Sequence, residues 1–445
     1  MTVLRIGSGA GFSGDRLEPA VVLAERAGLD WLGLECLAER TIALAQLRRL
    51  KDPAEGYDPL LARRMTPLLP VAARNGVRIV TNMGAANPLA AADVVLGIAR
   101  GLGLALKVAT VTGDDVLALL SPEDRVLETG GRVGDLGWLV SANAYLGAAA
   151  LLPAIESGAG VILTGRVADP SLFLAPAMHR FGWDPADADR IATGTVMGHL
   201  LECGGQATGG YFAEPGLKDV PDFARLGFPF AEVGADGDFV LGKAPDTGGR
   251  IDAMTVKEQL LYEVTDPRAY ATPDVVADFS GVRLAAAGPD RIAVSGARGR
   301  AQPRQLKVSI GYHAGWVGEG EIGYAGANAL ARARLAGETL RARLGAAFAE
   351  LRIDDNGCTS LPEKDYRDTE PYEVRLRVAG RAGVKDKAER IGEEVEALWT
   401  NGPGGGGGAR RYVREQVGVV STLIDRERVQ PQLTVKEWRG EKATA

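Results

Sequence analysis

His199, Glu202 and Cys203 fall three and four positions apart in the stretch RIATGTVMGHLLECGGQATGG, so they share one face of a helix. A histidine beside a carboxylate supplies a base near neutral pH, and Cys203 offers a nucleophile wherever its thiolate is stabilised. Gln206, just past the Gly204-Gly205 helix stop, adds an amide for substrate binding. The plainer reading is a satisfied core histidine and a buried thiol, since both residue types are often interior.

A second group, Thr164-Gly165-Arg166-Val167-Ala168-Asp169-Pro170, follows an apolar strand. Arg166 there could clamp a carboxylate or phosphate bidentately while Asp169 accepts or orients a proton; the alternative is an internal ion pair. Asn82 and Asn87, in Thr81-Asn82-Met83-Gly84-Ala85-Ala86-Asn87-Pro88, lie where ligands of open α/β sheets sit. Asn87 has a competing role as the cap of a helix starting at Pro88.

Glycine-rich turns form the third group. Gly7-Ser8-Gly9-Ala10-Gly11-Phe12-Ser13-Gly14-Asp15 joins a strand to a helix, a context in which backbone N–H groups around Gly9 and Gly11 hold an anion. Asp15 would contact substrate or cap the helix. The glycine spacing does not fit the dinucleotide signature, although Glu35 stands at a plausible distance for its acidic residue. Near the other end, Gly404 to Gly408 precede Arg410 and Arg411. Read as a loop opening a helix, Gly405, Gly406 and Arg410 make a second anion site, because cations at a helix start oppose its dipole until an anion joins them. No P-loop lysine accompanies the run.

These groups need elements to position them. Short apolar runs at 4–6, 31–34, 77–81, 106–111 and 161–164 read as strands, with helices at about 16–27, 39–50, 59–75, 89–101 and 141–157. The alternation predicts an α/β fold with a mainly parallel, Rossmann-like sheet covered by helices. From about Phe223, shorter alternating pieces and turns such as GADGD predict antiparallel strands. We therefore expect an α/β domain over 1–222 and an α+β lobe over 223–445, the latter with a helix at about 325–349, a strand at 372–378, one more helix, the glycine run and a last helix over 409–423.

Composition narrows the function class. The 445 residues include 51 Lys and Arg against 57 Asp and Glu, a formal charge of −6 that disfavours nucleic acid or an anionic membrane as partner. The cysteines Cys36, Cys203 and Cys358 form no CxxC pair, so neither a disulfide framework nor a cysteine zinc site is expected. The histidines at 179, 199 and 313 are scattered, which predicts no metal centre and leaves only oxygen coordination of Mg²⁺ open. With no signal peptide and no apolar run approaching the roughly 18 to 20 residues of a membrane span, a cytoplasmic protein is expected.

Read together, RIGSGAGFSGD, LAERT, KDPAEGYDP, VTNMGAANP, KVATVTGDD, LTGRVADPSLFLAP, HLLECGGQATGG, TVKEQLLYEVTDPRAYATPDVV and GPGGGGGARR resemble the acyclic terpene utilisation (AtuA-like) family, in order across nearly the whole chain. The opening differs from the family's commoner Cys-Ala-Ser-Gly-Phe-Trp-Gly-Asp, but Asp15 persists. The resemblance implies bacterial breakdown of branched, terpene-type acids, whose intermediates are coenzyme A thioesters. No cofactor is identified, and coenzyme A enters only as part of a substrate. Many relatives carry a small ferredoxin-like domain after the glycine-rich segment, and this sequence ends soon after VKEWRGEKATA, so a separate small subunit is one expected partner and a second copy of the chain another.

The reading that follows is an enzyme acting on a branched acyl thioester or carboxylate by hydration, dehydration or carbon–carbon cleavage. His199 with Glu202 or Asp169 would move protons, and Asn82 would polarise a carbonyl. The alternatives are a non-catalytic ligand-binding or assembly subunit and a thioester hydrolase working through Cys203.

Overall fold

Alternation of short branched-apolar runs with Ala- and Leu-rich stretches builds the first half of the chain as expected. The computed structural model describes residues 3–361 and 371–440. It begins β1 (Leu4–Ala10), α1 (Glu18–Arg26), β2 (Trp31–Leu34), α2 (Glu39–Lys51), α3 (Leu61–Asn75), β3 (Arg78–Thr81), α4 (Pro88–Gly101) and β4 (Leu106–Thr112). Then come β5 (Leu139–Ala144), α5 (Leu152–Glu156), β6 (Val161–Thr164), α6 (Ser171–Phe181) and α7 (Ala188–Glu202). The expected helix over 141–157 is thus corrected to a strand and a short helix; β5 pairs with β14 (Gln305–Ala325).

Past α7 the chain forms β7 (Pro229–Val233), β8 (Phe239–Lys243), α8 (Ala253–Leu261), β9 (Tyr270–Ala271), β10 (Val276–Asp278), β11 (Arg283–Ala286), β12 (Ile292–Ser295) and β13 (Arg298–Arg300) before β14. After it lie α9 (Ala329–Leu344), β15 (Leu351–Asn356), β16 (Glu373–Ala382), α10 (Lys385–Asn401), β17 (Gly407–Asp425) and β18 (Gln432–Trp438).

The principal sheet has ten strands in the order β11-β12-β8-β7-β1-β2-β3-β6-β4-β18. β1, β2, β3, β6 and β4 pair in parallel. Antiparallel strands extend both edges, β7 beside β1 and β18 beside β4. The sheet is therefore mixed. Parallel central strands are buried on both faces, which is why β2 and β6 contain no exposed position.

Contacts divide the described residues into two compact units, one running to Gly311 and resuming at Val419, the other Tyr312–Gly418. The antiparallel strands β7 and β8, past residue 223, join the principal sheet, and the division between the units falls at Gly311. The second unit has its own apolar core, including Ile322, Leu340, Leu376 and Val395. Its strand–helix–strand–strand–helix–strand connectivity, in the sheet order β15-β16-β14-β17, is that of a ferredoxin-like split βαβ unit. A unit of that architecture thus lies within the chain.

The expected helix over 409–423 is also corrected: the segment is β17. Val413, Val417, Val419 and Val420 favour a strand over the helix that its charged residues suggest. No helix start exists there to gather an anion, so Gly405, Gly406 and Arg410 lose the physical basis for that role, and they belong to the second unit.

Candidate active site

The loops that leave the C-terminal ends of β1, β2 and β6 line one cavity of about 800 Å³ within the first unit. Strand ends of an open α/β sheet are where ligands collect, because the loops diverge there and helix starts face the gap. The end of α7 and the segments at 205–211, 223–228 and 262–270 complete the wall.

The opening turn reaches this wall through close packing. A Cβ on Gly11 would lie 2.4 Å from the backbone carbon of Cys203, so only glycine lets the turn meet the end of α7. Gly9 is tight against Leu34 of β2 at 2.8 Å and does not line the cavity. The anion held by this turn is the chain's own: Asp15 Oδ2 accepts from Gly11 N at 2.9 Å. Arg64, buried on α3, donates to the carbonyls of Ser13 and Asp15 at 2.8 Å each and fastens the turn from below.

After β2 the chain runs Glu35-Cys36-Leu37-Ala38-Glu39 along the cavity. Both hydrogen bonds of Glu35 end on Oε1, from Leu37 N at 2.7 Å and Asn82 Nδ2 at 3.0 Å. Burial, reinforced by Asp169, pushes the Glu35 carboxyl up to about 8. The neutral acid therefore carries its hydrogen on Oε2. Asn82 is fully committed beneath it, donating to Glu35 and accepting from Cys36 N at 2.7 Å, so it positions an acid and does not itself line the cavity. Asn87 caps α4 and donates to Pro53 and Glu55, outside this cavity.

Arg166 is fully buried at the floor. Its guanidinium donates to Leu37 O and Asp169 Oδ1, pairs with Glu39 Oε1 at 3.1 Å, and stacks 4.3 Å over the Tyr145 ring. Tyr145 Oη donates to Asp169 Oδ2 at 2.7 Å. The internal ion pair considered from sequence is what forms, and it ties the loops after β2, β5 and β6 together. Burial raises Glu39, but Arg166, a backbone hydrogen bond and Lys307 together outweigh it and hold that carboxylate at about 2. For Asp169 burial prevails over Arg166 and Tyr145, and its pKa is raised.

On α7, His199 Nε2 lies 3.0 Å from the Gln259 carbonyl and Nδ1 lies 2.9 Å from Glu202 Oε1. A carbonyl only accepts, so the hydrogen sits on Nε2 and Nδ1 accepts from a protonated Glu202. Burial drives both groups to this neutral arrangement, holding the imidazole at about 4 and pushing Glu202 well above the carboxylate range. Tyr270 and Phe279 enclose the ring. Glu202 Oε2 is buried without a hydrogen-bond partner.

Of the expected site residues, His199, Glu202, Cys203, Asp169, Arg166, Asp15, Gly11 and Gln206 do meet in this one cavity. Burial, then Glu202, pushes the Cys203 thiol far above its ordinary value, so a thiolate nucleophile is not favoured. Glu39, Tyr145, Tyr262, Glu263 and Tyr270 are lining residues that sequence reasoning did not reach. Tyr145 was hidden in an alanine-rich run that reads as helix. No group of three or more metal-binding side chains occurs among the described residues. No described helix is long and apolar enough to cross a membrane.

No curated protein matches the chain. Residues 4–435 match the family described as "Acyclic terpene utilisation family protein AtuA". That match covers nearly all of the chain, and the protein belongs to this family, which is involved in acyclic terpene utilisation.

Proposed function

We propose that the cavity is the active site of an enzyme that adds water to, or removes it from, a branched acyl group presented as a thioester or free carboxylate. The observation that carries this reading is the presence, in the lining of one cavity, of a proton donor, Glu35 Oε2, and an unpartnered acceptor, Glu202 Oε2. A carboxyl whose pKa lies near 8 is protonated at neutral pH and close enough to it to act as a general acid.

In the dehydrating direction Glu202 Oε2 takes the proton from the carbon next to the acyl carbonyl while its Oε1 passes a proton to His199 Nδ1. The electron pair of the broken C–H bond forms the carbon–carbon double bond, and the C–O bond to the departing hydroxyl breaks. Glu35 Oε2 delivers the proton that makes the leaving group water. Hydration is the reverse. Burial opposes this imidazolium, holding His199 at about 4, and its Nε2–H bond to the Gln259 carbonyl offsets part of that cost. Arg166, Asp169 and Tyr145 hold the loops bearing Glu35 and Glu39 in register.

Purified protein incubated with branched hydroxyacyl and unsaturated acyl thioesters and acids, followed by mass spectrometry, tests the reading. Loss or gain of water is expected; carbon–carbon cleavage would appear as two shorter products. Glu35→Gln and Glu202→Gln should each lower turnover by at least about a hundredfold. Undiminished turnover in both variants would remove this acid–base pair.

A further inference from the structure

Cavity chemistry also bears on what carries the acyl group. The lining residues include six carboxyl side chains and two arginines. Neither arginine is free: Arg166 is engaged with Asp169 and Glu39, and Arg16 pairs with Glu18 Oε2 at 2.6 Å and donates to Leu226 O. A nucleotide carrier bearing several phosphate charges therefore meets a carboxyl-rich wall with no unpaired cation to receive it. Glu35 and Glu202 are neutral acids, so the repulsion of such a tail falls to the Glu39 carboxylate and the exposed Glu263, over the roughly 8 Å reach of charge interactions in physiological salt.

The rim offers apolar surface instead. Phe12 and Phe223 are largely exposed, and Tyr211 is 84% exposed while lining the cavity. Tyr211 stands edge-on to Tyr262 with ring centroids 6.1 Å apart, and its backbone is held at φ 59°, a left-handed conformation that bulky residues rarely adopt. An aromatic side chain kept in solvent on a strained backbone is an arrangement that a ligand's apolar body can use.

We propose that this site takes an uncharged branched acyl derivative, with the carbonyl end at Glu35 and Glu202 and the apolar body against the rim, in preference to the same acyl group on coenzyme A. The proposal rests on the acyl-processing reading above and names its substrate class. Attraction for a polyanion would need cations that this wall does not present. Hydrogen bonding from a neutral acid to a neutral carbonyl needs none.

The decisive comparison uses one branched acyl group on two carriers, N-acetylcysteamine and coenzyme A, with binding to the intact protein measured by calorimetry at low and high salt. The uncharged thioester should bind at least about tenfold more tightly at low salt, with the gap narrowing as salt screens repulsion. Glu263→Lys, at an exposed lining position, should strengthen coenzyme A thioester binding by a larger factor than it changes binding of the uncharged ester. Tyr211→Ala should weaken the uncharged ester severalfold. Equal or tighter coenzyme A binding that weakens with salt would overturn the proposal, as would binding of neither ester or indifference to Tyr211→Ala. Tight binding of the uncharged ester with no turnover would instead defeat the hydration reading and leave the carrier preference standing.

Discussion

Glu35 is the residue on which site chemistry and stability meet. Its carboxyl lies near 8 in the folded protein against an ordinary 4.5. Below 4.5 both folded and unfolded chains hold the proton. Between 4.5 and 8 the unfolded chain releases it and the folded chain does not, so stability present at low pH is lost as pH rises through the folded value. Glu35→Gln keeps an oxygen for Leu37 N and Asn82 Nδ2 but cannot ionise. The variant should therefore gain on the wild type as pH rises from about 5 to 8, by an amount on the order of a few kcal/mol, since one pKa unit is worth about 1.4 kcal/mol. Parallel denaturant titrations across that range check it; a pH-independent difference would mean that Glu35 titrates normally. Sequence placed the histidine and its acid correctly because both lie on one helix, where spacing alone decides the face. Glu35 was visible only as a ribose-binding acid of a dinucleotide motif, because its elevation comes from burial and, after it, Asp169 in three dimensions, neither of which spacing reveals.

At the scale of elements, glycine decides how closely α7 approaches the start of α6. A Cβ on Gly198 would fall 2.4 Å from the Pro170 carbonyl oxygen and 2.6 Å from its Cα, both backbone atoms that cannot swing aside. Gly198→Ala should cost about 1–3 kcal/mol, and should also lower activity because the displaced loop carries Asp169 next to Pro170. Gly97, exposed on α4 with nothing within 4 Å of its Cβ position, is the matched control. Gly97→Ala should stabilise by about 0.4–1 kcal/mol with turnover unchanged. Thermal unfolding of the two variants beside their kinetics separates a packing constraint from plain helix propensity; equal effects would show that the contact with Pro170 does not matter. The parallel strands and their helices could be read from the sequence because each is buried or amphipathic in a simple period. The stretch at 139–144 and β17 could not, since alanine-rich and charged residues favour helix locally while strand pairing decides the outcome. The glycine turn after β1 illustrates the same limit: its backbone does hold a carboxylate, but the carboxylate belongs to Asp15 four residues on.

The whole chain is organised as one unit interrupted by another. All residues lining the cavity fall in the unit that ends at Gly311 and resumes at Val419, whereas Tyr312–Gly418 has a separate apolar core. The two points where the chain passes between units lie side by side, for a Cβ on Gly418 would be 2.3 Å from the Tyr312 ring. Strands β14 and β17 are neighbours in the sheet, so a tight turn can close the gap between Gly311 and Val419. Composition marked a boundary near 223 because antiparallel strands look different from parallel ones; it could not show that β7, β8, β11, β12 and β18 join the first sheet while β14, β15, β16 and β17 form another. Replacing residues 312–418 by Asn-Gly should therefore leave a protein that unfolds cooperatively and binds the uncharged thioester within about threefold of the full chain, a change below 1 kcal/mol. Segment 312–418 expressed alone should also unfold cooperatively, since its helices and strands enclose their own core. Circular dichroism melts and calorimetry on the two pieces test this together: loss of binding by a cooperatively folded first unit would place part of the site outside it, and absence of a cooperative transition in either piece would show that the two cores do not stand alone.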